Sequence, residues 1–572
     1  MPGTSSTIPI IGMGIISALG NDLEATRERL FSQNPPMPAL PTKIDTSLAL
    51  PVFEVAGFPS RGSQPGGYSL QLLMHALDEA LRNANLNLER GSKVGVCIGT
   101  TVACQLNSIP FYEQLRQGNM PPAEPLINYL EGNPAEYIRR KFGLTGPALT
   151  ISNACASGAD AIGIAATWLR SGVCDIAIAG GTDEINKVPL DGFNALGVCS
   201  PQPCRPFDSQ RQGLNLGEGA GVIILSNKGQ SQLALAGFGK TADAFHITQP
   251  DPAGTGLEKA IRLACEDGGI DCDQLAFCNA HGTGTIANDI VESQVFERVL
   301  GAGARFLSTK SLTGHTLGAA GAIEAIITLL LLQEKRLPAS VRFQVPSPEM
   351  PVAPVAKETS LDNSKYALST SLAFGGSNTA LVLAVANGTN EPTKPSRVPC
   401  AKTIFAGDNA LNQEQLAKTR SKYALRRADR FTTLAIAGID QSVTTELPEN
   451  TALLTVSAFG PHKTVFATLD GILDFPEDQI QPTRFSHSVH NAASSYIATA
   501  FGLRGPSYAL TGFENPLEDA LDLAQSLVAT GQAPCALVVQ VEEQGALTAV
   551  LPQICPQQYP VEPEEIVAVY KY

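Results

Sequence analysis

Cys155 is the residue of this chain whose setting most favours nucleophilic chemistry. The apolar run 148–151 predicts a buried strand, and the Ala-rich stretch 156–169 predicts a helix that ends before Gly172. Cys155 would then lie on a sharp turn at the amino end of a helix, where unpaired N–H groups and the helix dipole favour a thiolate. A buried structural cysteine is the alternative, and the turn alone does not decide between the two.

Two of the seven histidines of the chain lie in glycine-rich strings. His281 stands in NAHGTGT, and His315 stands in KSLTGHTLGAAG. A lone histidine is usually a core or surface residue, but two of them among small residues and hydroxyls indicate catalysis. A further string, SLAFGGSN at 371–378, predicts a tight glycine turn after an apolar strand, where backbone approaches a ligand closely.

The order of these strings resembles that of the elongating, carrier-protein-dependent β-ketoacyl synthases. Cys155 comes first, followed by HGTGT, KSxxGHxxGAAG and FGGSN, and the resemblance covers about residues 5–388. It implies an α/β protein with the thiolase-like layered αβαβα fold. Thiolases and the initiating synthases have a similar fold with different second and third catalytic residues, so the second histidine argues against both.

The resemblance implies a role for each member of the set. Cys155 would hold the acyl group as a thioester, while His281 and His315 would stabilise the enolate that malonyl decarboxylation leaves. The other implied roles are Lys310 with Glu324 as support of the histidine pair, the backbone N–H groups of Cys155 and Phe374 as an oxyanion hole, Phe374 with Gly375 and Gly376 as a gate, and Thr283 and Thr285 as contacts of the pantetheine arm. No resident cofactor is expected, because 4′-phosphopantetheine arrives on the acyl carrier protein.

The predicted reaction is decarboxylative condensation of the acyl group on Cys155 with malonyl-acyl carrier protein, in fatty-acid or polyene/polyketide synthesis. Within enzymes, a starter-unit synthase or a malonyl-carrier decarboxylase is the alternative. From another class, a non-catalytic partner that shapes another synthase is the alternative, and the intact cysteine and histidines argue against it.

Composition limits the class of protein. The chain has 572 residues, of which 44% are hydrophobic and 16% charged, so several buried cores are expected. A net charge of −14 argues against nucleic acid as a partner. Twelve scattered cysteines without a CxxC pair favour a reducing cytoplasm and predict no metal site. The apolar run 322–332 is too short to span a membrane, and no signal peptide is evident, so we expect neither.

The last 170 residues or so repeat part of the chain. FGLRGP at 501–506 echoes FGLTGP at 142–147, with a constant separation of 359 positions that places Glu514 opposite Cys155. We predict a synthase at 1–388 (halves about 1–235 and 236–388), a linker at 389–402, and an inactive copy of a synthase N-terminal half at 403–572, called here the third half. It resembles truncated chain-length factors of type II, aryl-polyene-like polyketide systems; a passive appendage is the alternative.

Two features of the third half suggest partners. In the family the N-terminal halves dimerise through their sheet edges, so a homodimer or a pseudo-dimer within one chain is expected, and the sequence does not choose between them. A basic cluster predicts a dock for an acidic carrier protein: Lys418, Arg420, Lys422, Arg426, Arg427 and Arg430. The run 139–141 is a second candidate patch. Metal binding by His487 and His490 is the minor alternative for that pair, because no third ligand is evident.

Overall fold

The computed structural model describes residues 7–58, 67–361, 364–385, 411–543 and 566–572. The predicted linker and the domain boundary at residue 388 lie outside these residues. The first half contains β1 (Ile8–Ser17), α1 (Leu23–Leu30), α2 (Gly67–Asn83), β2 (Val94–Gly99), α3 (Ile109–Arg116), α4 (Glu124–Glu131), α5 (Pro134–Phe142), β3 (Ala148–Ile151), α6 (Ser157–Ser171), β4 (Ile176–Asp183), α7 (Lys187–Ala195) and β5 (Gly219–Ser226).

The remaining elements follow in two groups. The second half contains β6 (Leu233–Ala242), α8 (Thr255–Gly268), β7 (Leu275–Asn279), α9 (Ile286–Leu300), β8 (Phe306–Leu307), α10 (Lys310–Thr313), α11 (Ala320–Glu334), β9 (Arg336–Leu337), β10 (Thr359–Ser360), β11 (Tyr366–Ala373) and β12 (Ser377–Val385). The third half contains α12 (Gln413–Lys422), α13 (Arg430–Ser442), β13 (Ala452–Val456), α14 (His462–Asp474), α15 (Pro482–Ser488), α16 (Ala492–Phe501), β14 (Ser507–Thr511), α17 (Pro516–Ala529), β15 (Ala536–Glu542) and β16 (Ile566–Lys571).

A sheet of fourteen strands runs through all three halves, in the order β16-β15-β13-β14-β3-β2-β4-β5-β1-β6-β12-β11-β7-β8. Helices α6 and α11 pack together between its first-half and second-half portions, and α2 and α8 cover the outer faces. The strands next to these helices are apolar on both faces, as strands buried between two layers must be. This arrangement confirms the predicted thiolase-like layered fold.

The third half repeats the strand pattern of the first half. In each, a central strand is parallel to both neighbours, and the fourth strand is antiparallel, so β14-β13-β15-β16 corresponds to β3-β2-β4-β5. The two patterns meet where β14 pairs antiparallel with β3, with Leu510 opposite Ile151 and Thr511 opposite Thr150. The third half therefore covers, within the same chain, the sheet edge that β3 would otherwise leave unpaired.

Helix α11 forms part of the central core. The segment Leu317–Glu334 is the one stretch of the described residues that is long and apolar enough to cross a membrane, and 89% of it is buried inside the protein. Its apolar side chains pack against α6 and the strands on both sides. The run 322–332 is therefore a core helix, as its length and flanks predict.

Candidate active site

The turn that carries Cys155 has the predicted position. Strand β3 ends at Ile151, a short 3-10 turn spans Ala154–Ala156, and α6 begins at Ser157. Ala154 takes the left-handed conformation with φ of 48°, which a β-branched residue would adopt only with strain. The Cys155 side chain is 4% exposed. Burial raises the pKa of the Cys155 thiol to about 12. Lys310 lowers this pKa, but Asp183 and Glu324 raise it further, so the expectation of a lowered pKa is wrong.

His315 is in direct contact with the sulfur. Its Nε2 lies 3.0 Å from the Sγ of Cys155. The backbone N–H of Leu317 donates to Nδ1 at 3.3 Å, so a neutral ring carries its proton on Nε2. Burial, and secondly the charge of Lys310, lower the pKa of His315 well below its ordinary value, so the ring is neutral near pH 7. His315 therefore presents an N–H donor to the sulfur.

His281 is also engaged at Nδ1, in this case by the side chain of Lys310. The Nζ of Lys310 donates to the backbone carbonyl of His281 at 2.6 Å and lies 3.2 Å from its Nδ1. Because a lysine ammonium only donates, Nδ1 accepts and the proton of the neutral ring resides on Nε2. Glu324 forms a buried ion pair with the same ammonium. Burial and then Lys310 hold the pKa of His281 well below the ordinary histidine value.

The two imidazoles face each other across the site. Their ring centroids are 5.4 Å apart and the planes are nearly perpendicular, at 85°. The carboxylate of Glu292 accepts the backbone N–H groups of His281 at 2.8 Å and Gly282 at 2.6 Å, which fixes the first histidine string. Glu292 follows that string in sequence, and its structural role is evident only once α9 folds back over the loop.

A cavity of about 330 Å³ joins the predicted residues. Cys155, both histidines, Thr283, Thr285 and Phe374 all line it, and the two threonine hydroxyls lie 2.8 Å apart. After Phe374 the chain turns through Gly375 and Gly376, with φ of 84° and 71°, a conformation that favours glycine. The cavity therefore brings the two threonine hydroxyls into the same space as the sulfur and the two imidazoles.

The third half also reaches this site, which sequence reasoning missed. The side-chain amide of Asn491 donates to the backbone carbonyl of Phe374 at 2.7 Å. The ring of Phe485 packs on Phe193, which packs in turn on Phe374. The string FSHSVHN at 485–491 contains both residues, and its uncommon pair of histidines was the only signal in the sequence that pointed to it.

The two histidines of that string contact protein groups. His487 lies 2.9 Å from the hydroxyl of Tyr496 and 2.7 Å from the carbonyl of Thr483. The ring of His490 is buried and lies 3.9 Å from the sulfur of Cys104. The structure therefore places the two side chains in separate environments rather than around a common point.

Glu514 lies on the strand-to-helix turn that corresponds to the turn of Cys155, between β14 and α17. Its carboxylate pairs with Arg139 at 2.7 Å and Arg140 at 2.6 Å. Burial raises the pKa of Glu514, but hydrogen bonds from Arg140 and Arg139 outweigh it and hold the pKa below its ordinary value. Two members of the second basic patch, 139–141, are thus paired with a carboxylate of the third half.

The first basic cluster lies on and between α12 and α13. Lys418 pairs with Glu414 on its own helix, and Lys422 pairs with Asp440. The same cluster contains the exposed Arg420, Arg426 and Arg427, together with Arg430 at the start of α13. Arg427 lines a hollow of about 300 Å³ with Thr248, a residue that also lines the cavity of Cys155. One end of the cluster therefore lies next to the cavity.

Family models match three parts of this chain. Residues 55–231 match the "Beta-ketoacyl synthase, N-terminal domain", and residues 233–344 match the "Beta-ketoacyl synthase, C-terminal domain". A second model of the N-terminal domain matches residues 423–548. The third half is therefore similar in sequence to a synthase N-terminal half.

Individual relatives give the same result. A 3-oxoacyl-[acyl-carrier-protein] synthase 2 of Staphylococcus aureus is 31% identical over 401 residues, which cover 65% of this chain and 99% of that protein. The ketosynthase ApeO with its chain length factor ApeC, from Xenorhabdus doucetiae, matches with 30% identity and a TM-score of 0.57, over 67% of this chain and 98% of that one. The PfaC keto synthase-chain length factor, 18% identical, has the same fold over 99% of this chain and 78% of that one, with a TM-score of 0.78.

Proposed function

The chain belongs to the β-ketoacyl-[acyl carrier protein] synthase family, and from that premise we propose how its residues divide the reaction. The enzyme is an acyltransferase that elongates an acyl chain by condensation with a malonyl unit on an acyl carrier protein. The starter-unit, decarboxylase and non-catalytic alternatives are not favoured. The roles of individual residues, the influence of the third half and the docking surface are the proposal.

In the first step Cys155 takes the acyl group. Its sulfur attacks the thioester carbonyl of the acyl-carrier, the carbon–sulfur bond to the carrier breaks, and the thiol proton leaves with the carrier's thiol. The Nε2–H of His315, 3.0 Å from the sulfur, stabilises negative charge on it. The backbone N–H groups of Cys155 and Phe374 would hold the carbonyl oxygen of this step.

In the second step the histidine pair acts on the malonyl thioester. Two N–H donors at its carbonyl oxygen stabilise the enolate that forms when the carboxylate leaves as carbon dioxide. The enolate carbon attacks the acyl carbonyl on Cys155, the bond to sulfur breaks, and the thiolate takes up a proton from solvent water. Thr283 and Thr285, which line the same cavity, would hold the pantetheine arm.

One observation carries this assignment: two neutral imidazoles, each with Nδ1 engaged by a donor, share a cavity with the cysteine. The test supplies acyl-carrier and malonyl-carrier together and follows intact masses. Condensation gives a β-ketoacyl-carrier two carbons longer than the acyl group. A malonyl-carrier decarboxylase would give only acetyl-carrier and an unchanged acyl-carrier.

We infer that the third half acts as a chain-length-factor-like unit within the same chain. Three of its aromatic residues, Phe459, Phe466 and Phe485, belong to one apolar cluster with first-half residues that include Phe193 of the cavity wall. Changes in this cluster should therefore change the space available to an acyl chain. Phe466, which packs on Tyr112 with a centroid distance of 4.6 Å, tests this.

Phe466→Ala should shift the distribution of product lengths. Its control is Phe475→Ala, since Phe475 follows the same helix, α14, and is 50% exposed. Mass analysis of carrier-bound products compares the two variants with the unchanged protein. An identical distribution for all three proteins would favour the passive appendage.

We propose that the acyl carrier protein docks on the basic cluster of the third half. Arg427 supports this, because it adjoins a hollow that shares Thr248 with the cavity of Cys155. Arg427→Glu should raise the KM for the carrier with little change in kcat, whereas Lys228→Glu, on the turn after β5, should not. An unchanged KM in the first variant would contradict this surface.

The proposed chemistry also bears on the need for a cofactor and on the location of the enzyme. We propose that the enzyme works without a resident cofactor, since the only prosthetic arm that the two steps use arrives on the carrier. A reducing cytoplasm is the proposed location, because Cys155 must remain a free thiol to accept an acyl group. Purified protein should condense added substrates in buffer with chelator and reductant alone, and should lose this activity when the reductant is replaced by a thiol oxidant, which tests the cofactor requirement and the need for a free thiol.

A further inference from the structure

The loop after β11 is held from two sides. On the synthase side, the N–H of Gly375 donates to the carbonyl of Ile247, and the N–H of Asp243 donates to the carbonyl of Gly376, both at 2.7 Å. On the other side, Asn491 of the third half donates its amide to the carbonyl of Phe374 at 2.7 Å. One hydrogen bond from the third half therefore reaches the residue that lines the cavity beside Cys155.

The position of Asn491 is itself well defined. The residue is 3% exposed and lies at the amino end of α16, which packs against α13 and β13 inside the third half. A side chain at position 375 would lie 2.9 Å from the Asn491 amide nitrogen, so the contact depends on glycine there. The side-chain amide of Asn491 and the loop of Phe374 are therefore in close contact, with no room for a side chain at position 375.

A row of aromatic rings connects the same two parts. Phe485 packs on Phe193 with centroids 5.3 Å apart, and Phe193 lies 5.4 Å from Phe374 and 6.4 Å from His315. A Cβ at position 192 would overlap the ring of Phe485, so the rings meet only because residue 192 is glycine. The third half thus touches both the backbone and, through Phe193, the ring of Phe374.

The nucleophile turn is anchored to the third half as well. Asn153, two residues before Cys155, donates to the carbonyl of Ser507 and accepts from the N–H of Ala509, both at 2.8 Å. These side-chain bonds lie beside the β3–β14 pairing and extend the contact between the two halves. Two segments that line the cavity, the turn of Cys155 and the loop of Phe374, are therefore both hydrogen-bonded to the third half.

We propose that Asn491 is a positioning residue of the third half for the active site, which holds the Phe374 loop against the cavity of Cys155. This rests on the proposed function for its effect on turnover, but the position of the loop can be measured without condensation. The third half then does more than cover a sheet edge: it sets how closely Phe374 closes over the sulfur. Loss of the amide donor should loosen that wall without removing any group that touches substrate.

The test compares Asn491→Ala and Asn491→Asp with Gln532→Ala. Asn491→Asp keeps the shape of the side chain and, when ionised, removes the donor. Gln532 is the matched control because its amide also donates from the third half to the synthase, to the hydroxyl of Thr167 at 2.8 Å. Each change removes one interfacial hydrogen bond, but only those at position 491 remove a bond to the cavity wall.

The first readout is alkylation of Cys155 by chloroacetamides that carry a short or an octyl chain, followed by intact mass and peptide mapping. The measured quantity is the ratio of the alkylation rate with the octyl reagent to the rate with the short reagent. Both variants at position 491 should raise this ratio about 10-fold, as expected for one lost buried hydrogen bond. The Gln532 variant should keep the ratio of the unchanged protein. An unchanged ratio in all three variants would overturn the proposal.

The second readout is kinetic. Both variants at position 491 should lower kcat about 10-fold and leave the KM for malonyl-carrier within about 2-fold, because the wall and not the docking surface has changed. A rise in KM without a fall in kcat, or an Asn491→Asp variant with normal kcat and labelling, would overturn the role of the amide. If the unchanged protein fails to condense while the labelling ratio responds, the proposed function fails and the positioning inference stands.

Discussion

Replacing Lys310 by Met tests the buried charges behind the histidines. Lys310 and Glu324 are 1% exposed and form an ion pair within the core. Met has a similar length and no charge, so the variant leaves the Glu324 carboxylate buried without its cation. Breaking such a pair from one side costs about 3–5 kcal/mol of unfolding free energy. The double variant Lys310→Met/Glu324→Gln removes both charges and should recover most of that loss.

The loss of unfolding free energy in Lys310→Met should depend on pH in a defined window. Burial raises the pKa of Glu324 to about 7 in the native state, although Lys310 lowers it. A carboxyl with a raised native pKa loses stability as pH rises from its unfolded pKa to its native pKa, and no further above that. In the intact protein most of this loss has occurred by pH 7, and about 0.4 kcal/mol remains above it. Without Lys310 the native pKa rises further, so the variant continues to lose stability above pH 7.

The expected size follows from linkage. Between pH 7 and pH 8 the deficit of Lys310→Met relative to the unchanged protein should grow by up to ~1.4 kcal/mol, the value of one pKa unit. His281 and His315 stay neutral across this window in both proteins, because burial is the largest cause of their lowered pKa values and persists without Lys310, so they do not add to the difference. The double variant should show a deficit that does not change with pH.

Urea denaturation of the three proteins at pH 7.0, 7.5, 8.0 and 8.5 measures these differences as shifts of the midpoint. Condensation should remain at least about 10-fold slower in the double variant, because His281 has lost the donor to its Nδ1. A single variant whose deficit stays constant from pH 7 to pH 8.5 would refute the pairing as described. So would a double variant that condenses at the normal rate.

Three further changes test the division of labour. Cys155→Ala should abolish acyl transfer, and an acyl-chain epoxide should label the unchanged protein at Cys155 but not the variant; full acyl transfer would end the assignment. His315→Ala should lose malonyl decarboxylation about 100-fold or more and retain some acylation, measured separately by carbon dioxide release and intact mass. Glu514→Ala should leave kcat within about 2-fold and lower the free energy of unfolding by about 1 kcal/mol or less, measured by urea denaturation, because partly exposed ion pairs contribute little; a large kcat loss would assign this turn a catalytic role.

Much of the fold could be predicted because it depends on local patterns. The apolar run 148–151 and the stretch 156–169 became β3 and a helix at Ser157–Ser171, within one or two residues of the prediction. The repeat around FGLRGP likewise predicted that the third half has the strand order of the first. Strand and helix signals lie in consecutive residues, so a single sequence contains them in full.

The direction in which the pKa of Cys155 is shifted could not be predicted from local patterns. A helix amino end favours a thiolate, and that part is visible in the sequence, but burial depends on segments far apart in the chain and raises the pKa to about 12. The basic run 139–141 shows the same limit. Its charges suggested a solvent-exposed patch, yet Glu514, more than 370 residues later, engages two of them.

The sequence by itself determined the chemistry, because the cysteine and the two histidines stand in strings whose glycines and hydroxyls are required locally. Only the tertiary structure decided how the third half is used. Pairing of β14 with β3 and the bond from Asn491 to Phe374 depend on the relative position of segments more than 100 residues apart. No local pattern specifies such a contact, since it arises only when two separately folded surfaces fit together and exclude water.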